Sequence, residues 1–473
     1  MNAPTMPPAL AAALTAHQKG ALADAEAGYR AVIREQPDNP DALHLLSILC
    51  LQQGRAEEAL PVIERVIELV PDAADAHGNM GSALQALERF SEAVHAFRTA
   101  ILFAPDAAHH HYNLGNTLRA DGDKQGAVQA YRDAIRCAPD LVQAHSNLAT
   151  TLSELGLFDE AVAHCKLAIQ YQPGFADAHY NLGNAYREAG RHEDAIRAYK
   201  DAIQHNPDHA NAYCNMGLSE MVSPGLDQAI RTLGKAVTID PAHDMARFYQ
   251  AVATEMTGAD ASRQFDGLPG DDDAVAAWCD SWDYVKSHST LSTEIIHCPY
   301  ALLSHAFDKA TLDGLVLEFG VRHGQSIRHI SAETDQSVHG FDSFEGLPAA
   351  WCHEPEGVYS TGGRLPDVPD NVTLHAGLFA DTLGPFLEKH PGQIRFCNID
   401  CDIYASTVTV LDGIAPRVRP GTVLVFDEYL INPTWRDDEY RAFREAVEKY
   451  GWTYSYLAFG IVTKQAAVVI DGV

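Results

Sequence analysis

The sequence predicts an all-α solenoid of seven 34-residue helix-turn-helix repeats, followed by an α/β domain built on a mainly parallel sheet. Three observations predict it. Prolines stand at an unbroken interval of 34 residues, at Pro37, Pro71, Pro105, Pro139, Pro173, Pro207 and Pro241. That period stops near residue 243. Beyond about residue 285, short β-rich apolar runs alternate with helical stretches, the pattern of a parallel sheet covered by helices. The expected organisation is a solenoid with a capping helix over 6–258, an acidic linker over 259–284, and the α/β domain over 285–473.

Within each repeat the residue choices have physical reasons. Twelve residues before each proline stands an alanine: Ala25, Ala59, Ala93, Ala127, Ala161, Ala195 and Ala229. Ten residues after most of the prolines comes a small residue, as Ser47, Gly81, Gly115, Ala149, Gly183 and Gly217. Paired helices approach closely only where such residues face each other, and Tyr29, Phe97, Tyr131 and Tyr199 fill the space towards the neighbouring repeat. Proline lacks an amide donor and stops the second helix. With its 34-residue period and terminal proline, the array resembles the tetratricopeptide repeat family. The seventh repeat departs from the pattern, with Glu220 where Leu118, Leu152 and Tyr186 stand elsewhere and Pro224 in its turn, which suits a partly exposed terminal unit.

Asn79, Asn113, Asn147, Asn181 and Asn215 recur two residues before the small residue of the first helix. In tetratricopeptide arrays that position faces the concave groove. A side-chain amide offers a donor and an acceptor, so a ladder of them can pair with the backbone of an extended peptide. The NLGN-type repeats resemble those of protein O-GlcNAc transferase, and the resemblance implies such a ladder. The plainer alternative is that each Asn is satisfied by its neighbouring repeats. The triplet His109, His110 and His111 reads as decoration of a helix surface rather than as a metal site.

The stretch ADASRQFDGLPGDDDAVAAWCD, acidic and containing Gly and Pro, reads as the linker. After it the candidate strands are LVLEFG, SVHGFDSF, VTLHAG, IRFCNID and TVLVFDEY. WTYSYL and AAVVID then suggest a closing antiparallel hairpin. Ligands in such sheets bind at the carboxyl ends of the strands. The first run ends in Glu318 and Gly320 and continues through Arg322, His323 and Gly324 to Ser326. The dinucleotide fingerprint G-x-G-x-x-G is absent, which argues against a dehydrogenase. The second run ends at Asp342, where an acid can accept hydrogen bonds from a ribose diol or form a turn.

Together EFGVRHGQS, HGFDSFEGLP, NIDCDIYAST and VFDEY resemble the class I S-adenosylmethionine-dependent methyltransferases of the macrocin (TylF-type) sugar O-methyltransferase family, over about residues 285–473. The resemblance implies a Rossmann-like domain that binds S-adenosylmethionine. It places Glu318, Gly320 and Gly324 at the cofactor's amino-acid end, Asp342 at its ribose, and Ser343 and Phe344 near its adenosine, with Ser326 a further cofactor-binding residue.

Asp400, Asp402, Asp427 and Glu428 fall at the ends of two runs expected to be adjacent strands. Such carboxylates repel unless protonated or bridged by a cation, and hard oxygen ligands suit magnesium or calcium. The resemblance implies a magnesium held by these acids; the alternative is that one or two only cap helices or form salt bridges. A sugar hydroxyl is a weak nucleophile, so a base is needed, for which Asp402 or a histidine such as His323 or His353 is the candidate. The Gly/Pro-rich loop 351–370 offers His353, Tyr359 and Arg364 as acceptor contacts.

The balance of 34 Lys and Arg against 64 Asp and Glu gives a net charge of −30, which argues against nucleic acid and anionic lipid as partners. Nine cysteines without a C-x-x-C pair suggest reduced thiols. The N-terminal stretch is a poor secretory signal and no apolar run is long enough to span a bilayer, so a cytoplasmic protein is expected. The expected activity is O-methyl transfer to a hydroxyl, foremost of a sugar or glycan. The solenoid groove would recruit a protein or glycoconjugate partner, and a homo-oligomer stays open. The rivals are a binding scaffold with a vestigial cofactor domain, and a methyltransferase acting on a protein or small natural product.

Overall fold

The computed structural model describes residues 6–222, 225–270, 272–351 and 356–473. The chain forms two compact units that divide in sequence between Asn181 and Leu182. In the first, antiparallel helix pairs follow one another: Pro8–Gln18 with Leu22–Glu35, Pro40–Gln52 with Ala56–Leu69, Ala74–Ala86 with Phe90–Phe103, Ala108–Ala120 with Lys124–Cys137, and Val142–Glu154 with Phe158–Tyr171. Helix Ala176–Glu188 spans the division.

The periodic small residues do what their size requires. Ala25, Ala59, Ala93, Ala127 and Ala161 are fully buried. A Cβ on Gly81 would lie 2.8 Å from the Phe97 ring, and one on Gly115 would lie 2.6 Å from the Tyr131 ring. A further periodic device was not read from the sequence. His77, His111, His145 and His179 each donate an Nε2–H to the carbonyl of the helix-ending proline six residues earlier, at 2.8–2.9 Å. Each of these prolines lies in the turn two residues past its helix, so in four successive repeats an imidazole satisfies a carbonyl of the connecting turn. His111 is thus a buried structural residue and His110 is buried as well, which corrects the surface-decoration reading for both.

The second unit continues with helices His192–His205, Ala210–Val222 and Leu226–Ile239, then Asp244–Met256 in the capping position. The stretch expected to be a linker carries the short helix Ser262–Asp266 and most of helix Asp273–His288. Acidic residues dominate its composition, yet Val275, Trp282 and Val285 share a helical face and are buried, and Tyr284 is buried too. Glu220, expected to be partly exposed, is also buried. Its Oε2 has no hydrogen-bond partner, and burial raises its pKa.

The sheet has eight strands: β1 (Glu294–Ile295), β2 (Leu315–Phe319), β3 (Val338–Asp342), β4 (Val372–Ala376), β5 (Ile394–Ile399), β6 (Val423–Phe426), β7 (Thr453–Phe459) and β8 (Ala466–Gly472). Their order is β1-β7-β8-β6-β5-β2-β3-β4. Neighbours run parallel except β8, which is antiparallel to both β6 and β7. All seven predicted runs are strands, and the two-residue edge strand β1 is additional. Within this unit one hydrophobic core runs from Leu218, Leu233 and Phe248 of the last repeat helices through Trp282 and Val285 to Phe426, Phe443 and Ile461 of the α/β domain. Polar contacts cross the same seam. Tyr249 donates to the Ile461 carbonyl at 3.3 Å, and Ser281 Oγ accepts from the Ile431 amide at 2.9 Å. The Tyr456 hydroxyl joins those of Tyr284 and Tyr429 at 2.7 and 2.8 Å.

Burial holds two histidines of this unit, His297 and His339, neutral down to about pH 4; His375 and His390 add repulsion at His339. The unfolded chain takes up those protons near pH 6.5. Stability contributed by these rings is therefore complete above about pH 6.5 and is lost as pH falls towards 4, by on the order of 1–3 kcal/mol each. A thermal-melting series over that window should show the fall, and His339→Leu should flatten it.

Candidate active site

β2 is the switch point of the sheet: the chain turns to β3 and β4 on one side, then crosses to β5 on the other. A crevice at the carboxyl ends of the strands is the expected result. Gly320, just past β2, has φ +91°, and a Cβ there would lie 1.8 Å from the Asp400 carbonyl oxygen. Only glycine lets the ends of β2 and β5 come this close. Gly324, at φ +74°, is the N-cap of helix Gln325–Ala332.

Asp342 ends β3 and organises the turns beside it. Its Oδ2 accepts from the Arg322 amide at 2.7 Å and its Oδ1 from the Phe344 amide at 2.6 Å. Both donors sit at positive φ, 46° and 58°, a conformation these bonds help to hold. Each carboxylate oxygen keeps a further lone pair for a ligand. Beneath this turn Glu318 is fully buried and accepts a hydrogen bond from Ser326 Oγ, while its Oε2 has no partner. Burial, then the neighbouring Asp427 and Asp342, push its pKa up to about 8.

The acid cluster lies at the ends of β5 and β6, which pair in parallel. Burial is the first cause of the upward pKa shift in all four residues. At Asp400 and Asp402 repulsion from the neighbouring acids adds to it; Asp402 and Glu428 reach about 7. Asp402 has φ 58°, an uncommon backbone for a residue other than glycine. Several groups not singled out by sequence hold the cluster. Lys464 Nζ donates to Glu428 Oε1 at 3.0 Å, and Gln465 Nε2 donates to Asp427 Oδ1. The Arg322 guanidinium lies 4.6 Å from the Tyr359 ring centre, and its charge favours ionised Asp402. Glu439 is buried, and its two oxygens accept from the amides of Cys401 and Glu428, each at 3.1 Å, tying the two acid-bearing loops together. The hairpin placement of Lys464 and Gln465 could have flagged them; nothing local flags Glu439.

A cavity of about 670 Å³ joins the two halves of the site. Gly320, Arg322, Asp342, Ser343 and Tyr359 line one part, and Asp400, Asp402, Asp427 and Glu428 the other. Glu318, Gly324 and Ser326, expected at the cofactor, are not among the lining residues. Phe344 does not line the cavity. Its ring is buried in the core with Val321 and Ile327, and its carbonyl accepts from the amides of Thr361 and Gly363. His323 and Arg364 are not among the lining residues either, and His353 lies outside the described residues.

The unpartnered Glu318 Oε2 and the close backbone at Gly320 fit S-adenosylmethionine, whose ammonium needs an acceptor and whose amino-acid end needs room. The acids fit a hard cation in donor chemistry, and Glu428 Oε2 is buried without a partner. Among the described residues, however, no three of these acids bring ligand oxygens within 4.8 Å of one another. In the solenoid, Asn147 Nδ2 donates to Asn116 at 2.9 Å and Asn181 Nδ2 to Ser146 at 3.0 Å, while in the second unit Asn215 Nδ2 donates to Asn184 at 2.9 Å. These three amides already bond to the preceding repeat; Asn79 Nδ2 is buried without a partner. Asn113 gives its carbonyl to Thr117.

Fold and site together define a helical repeat solenoid followed by a Rossmann-like α/β domain of methyltransferase type. Models of the tetratricopeptide repeat match residues 16–68, 79–142, 142–175 and 176–209, and a model described as a methyltransferase domain matches residues 317–429. The chain is 27% identical over 180 residues to the 8-demethyl-8-(2,3-dimethoxy-α-L-rhamnosyl)-tetracenomycin-C 4′-O-methyltransferase of Streptomyces olivaceus, a match covering 32% of this chain and 64% of that protein's length. Similar solved structures include YrrB, a tetratricopeptide repeat protein with an unusual peptide-binding site, at 25% identity and TM-score 0.34 over 39% of this chain and 95% of that one. A tetratricopeptide repeat protein of Parabacteroides merdae matches at 18% identity and TM-score 0.42, over 52% and 97%.

Gly320→Ala should lose at least about 2 kcal/mol through its forced clash and backbone strain. A lowered thermal midpoint together with lost S-adenosylhomocysteine binding is the expected pair of readouts; an unchanged midpoint would contradict the close approach.

Proposed function

We propose that this chain is an S-adenosylmethionine-dependent O-methyltransferase whose acceptor is a hydroxyl of a sugar or glycan. The observation that carries this reading is the single cavity that joins the Gly320–Asp342–Ser343 wall to the acids of β5 and β6. The Streptomyces olivaceus relative is named for methylating a 4′ oxygen of a rhamnosyl compound, which supports a glycosidic acceptor.

Glu318, Gly320, Gly324, Ser326, Asp342 and Ser343 would hold S-adenosylmethionine, which supplies an electrophilic methyl on a cationic sulfur. Asp402 is the base. Its pKa near 7 lets it be ionised at neutral pH and still accept a proton. The acceptor oxygen forms the new bond to the methyl carbon, the sulfur–methyl bond breaks with its electron pair left on sulfur, and the hydroxyl proton passes to Asp402. Arg322, on the same wall as Asp342, would keep Asp402 ionised through its charge. One or two of Asp400, Asp427 and Glu428, the number of carboxylates magnesium ordinarily takes, would hold that ion, and it would supply polarisation of a bound hydroxyl. The solenoid recruits a protein or glycoconjugate partner. The described cysteines are all free thiols, which supports a reducing, cytoplasmic setting.

Calorimetric titration with S-adenosylhomocysteine should show binding that Asp342→Ala abolishes. Absence of binding to the native chain would overturn the assignment. With an acceptor in hand, kcat/KM should rise with pH through about 7 and then level. Asp402→Asn should lower kcat by about 10²–10⁴-fold and remove that inflection. A chelator that leaves turnover intact would discard the metal while keeping the base.

A further inference from the structure

From the solenoid we infer a transition-metal site that is separate from the methyltransferase cavity, formed by Asp75, His109 and His110. The three side chains come from two successive first helices, Ala74–Ala86 and Ala108–Ala120. Asp75 Oδ1 lies 3.5 Å from His109 Nε2 and 3.4 Å from His110 Nε2, and all three ligand atoms lie within 4.8 Å of one another. Donors about 2.0–2.1 Å from a tetrahedral ion are separated by roughly 3.3–3.4 Å. The two oxygen–nitrogen separations match that edge.

The repeat itself supplies the control. At the place of His110 the first repeat carries Pro8, while Ala42, Ala76, Ala144, Ala178 and Ala212 stand in the other repeats and Ala246 in the capping helix, the alanines each 0–1% exposed. Among these positions His110 alone places an imidazole in the packing between helices. Room is made by the glycine opposite, since a Cβ on Gly78 would lie 2.6 Å from His110 Cε1. The equivalents of Gly78 in other repeats, His44, Tyr112, Ser146, Tyr180 and Cys214, all carry side chains. A large-for-small change is thus matched by a small-for-large change across the helix contact.

Packing alone does not explain the exchange. His110 is 2% exposed, and neither ring nitrogen makes a hydrogen bond. Leaving an imidazole buried in this state costs on the order of 1–3 kcal/mol. A cation at Nε2 would remove that cost. The third histidine of the triplet, His111, is already engaged by the Pro105 carbonyl, so helix phase separates the structural ring from the two that face Asp75. His109 and Asp75 are exposed and leave the outer side open to water. Two imidazoles and one carboxylate suit a borderline divalent ion of the zinc, cobalt or nickel type rather than magnesium.

The test is zinc and cobalt titration of the full chain beside its His110→Ala and Asp75→Asn forms. His110→Ala installs the residue that five other repeats and the capping helix carry at this place, so it should fold; Asp75→Asn keeps size and removes the charge. The native chain should take up one more zinc ion than either variant. Bound cobalt should show visible absorption of a four-coordinate site that both variants lose, with affinity down more than ~10-fold. Equal stoichiometry and equal cobalt spectra in all three proteins would overturn the site. So would a loss on Asp75→Asn that appears only as a lowered melting temperature, with metal uptake unchanged, since that marks a simple ion pair.

Discussion

Asp400, Asp402, Asp427 and Glu428 sit where burial and mutual repulsion both favour protonation, and much of the second unit is arranged around that repulsion. Lys464 and Gln465 arrive from the turn between β7 and β8, because β8 inserts antiparallel beside β6 and brings the turn back to the acid end. Arg322 arrives from the turn after β2, held by Asp342. Glu439 accepts one amide from each acid-bearing loop and fixes their spacing with its own buried carboxyl group. The same compression forces glycine at position 320. A site with pKa values drawn towards neutrality follows from this packing, and such a site suits moving a proton off a hydroxyl.

The solenoid obeys a different constraint. Each pair of helices must close over small residues and must satisfy the carbonyls of its connecting turns; the alanine register meets the first demand in every repeat, and the histidine–proline bonds meet the second in four. The asparagines are part of the same economy. Asn147, Asn181 and Asn215 donate to side chains 31–35 residues earlier, so they tie successive repeats together.

Much of this was legible in the sequence, for reasons that differ by element. A 34-residue period imposes the same steric demand seven times, so Pro37 to Pro241 and their alanines read without ambiguity. The strands read well because Leu315–Phe319 and Val423–Phe426 are short, apolar and followed at once by Gly or Asp. β1 did not read, since two residues carry no period. Helix Asp273–His288 was hidden by its acidic start, although Val275, Trp282 and Val285 lie at helical spacing. Within the site, Asp342 and the acids stood out because they end strands. Phe344 was misplaced because a motif gives neighbourhood and not direction: its amide faces Asp342 while its ring points into the core. Glu439 was invisible because its partners lie 38 and 11 residues away and are backbone amides.

The core shared by the last repeat helices and the sheet changes what counts as a module in this chain. A cut at residue 258 looks natural on the page, yet it would strip Leu218, Leu233 and Phe248 from Trp282 and Val285 and leave a greasy flank on the sheet. The last repeat helices are therefore scaffolding for the sheet. An engineer recombining repeat arrays on this chain would have to cut upstream of residue 258, within the repeats themselves, where one 34-residue unit meets another of the same shape.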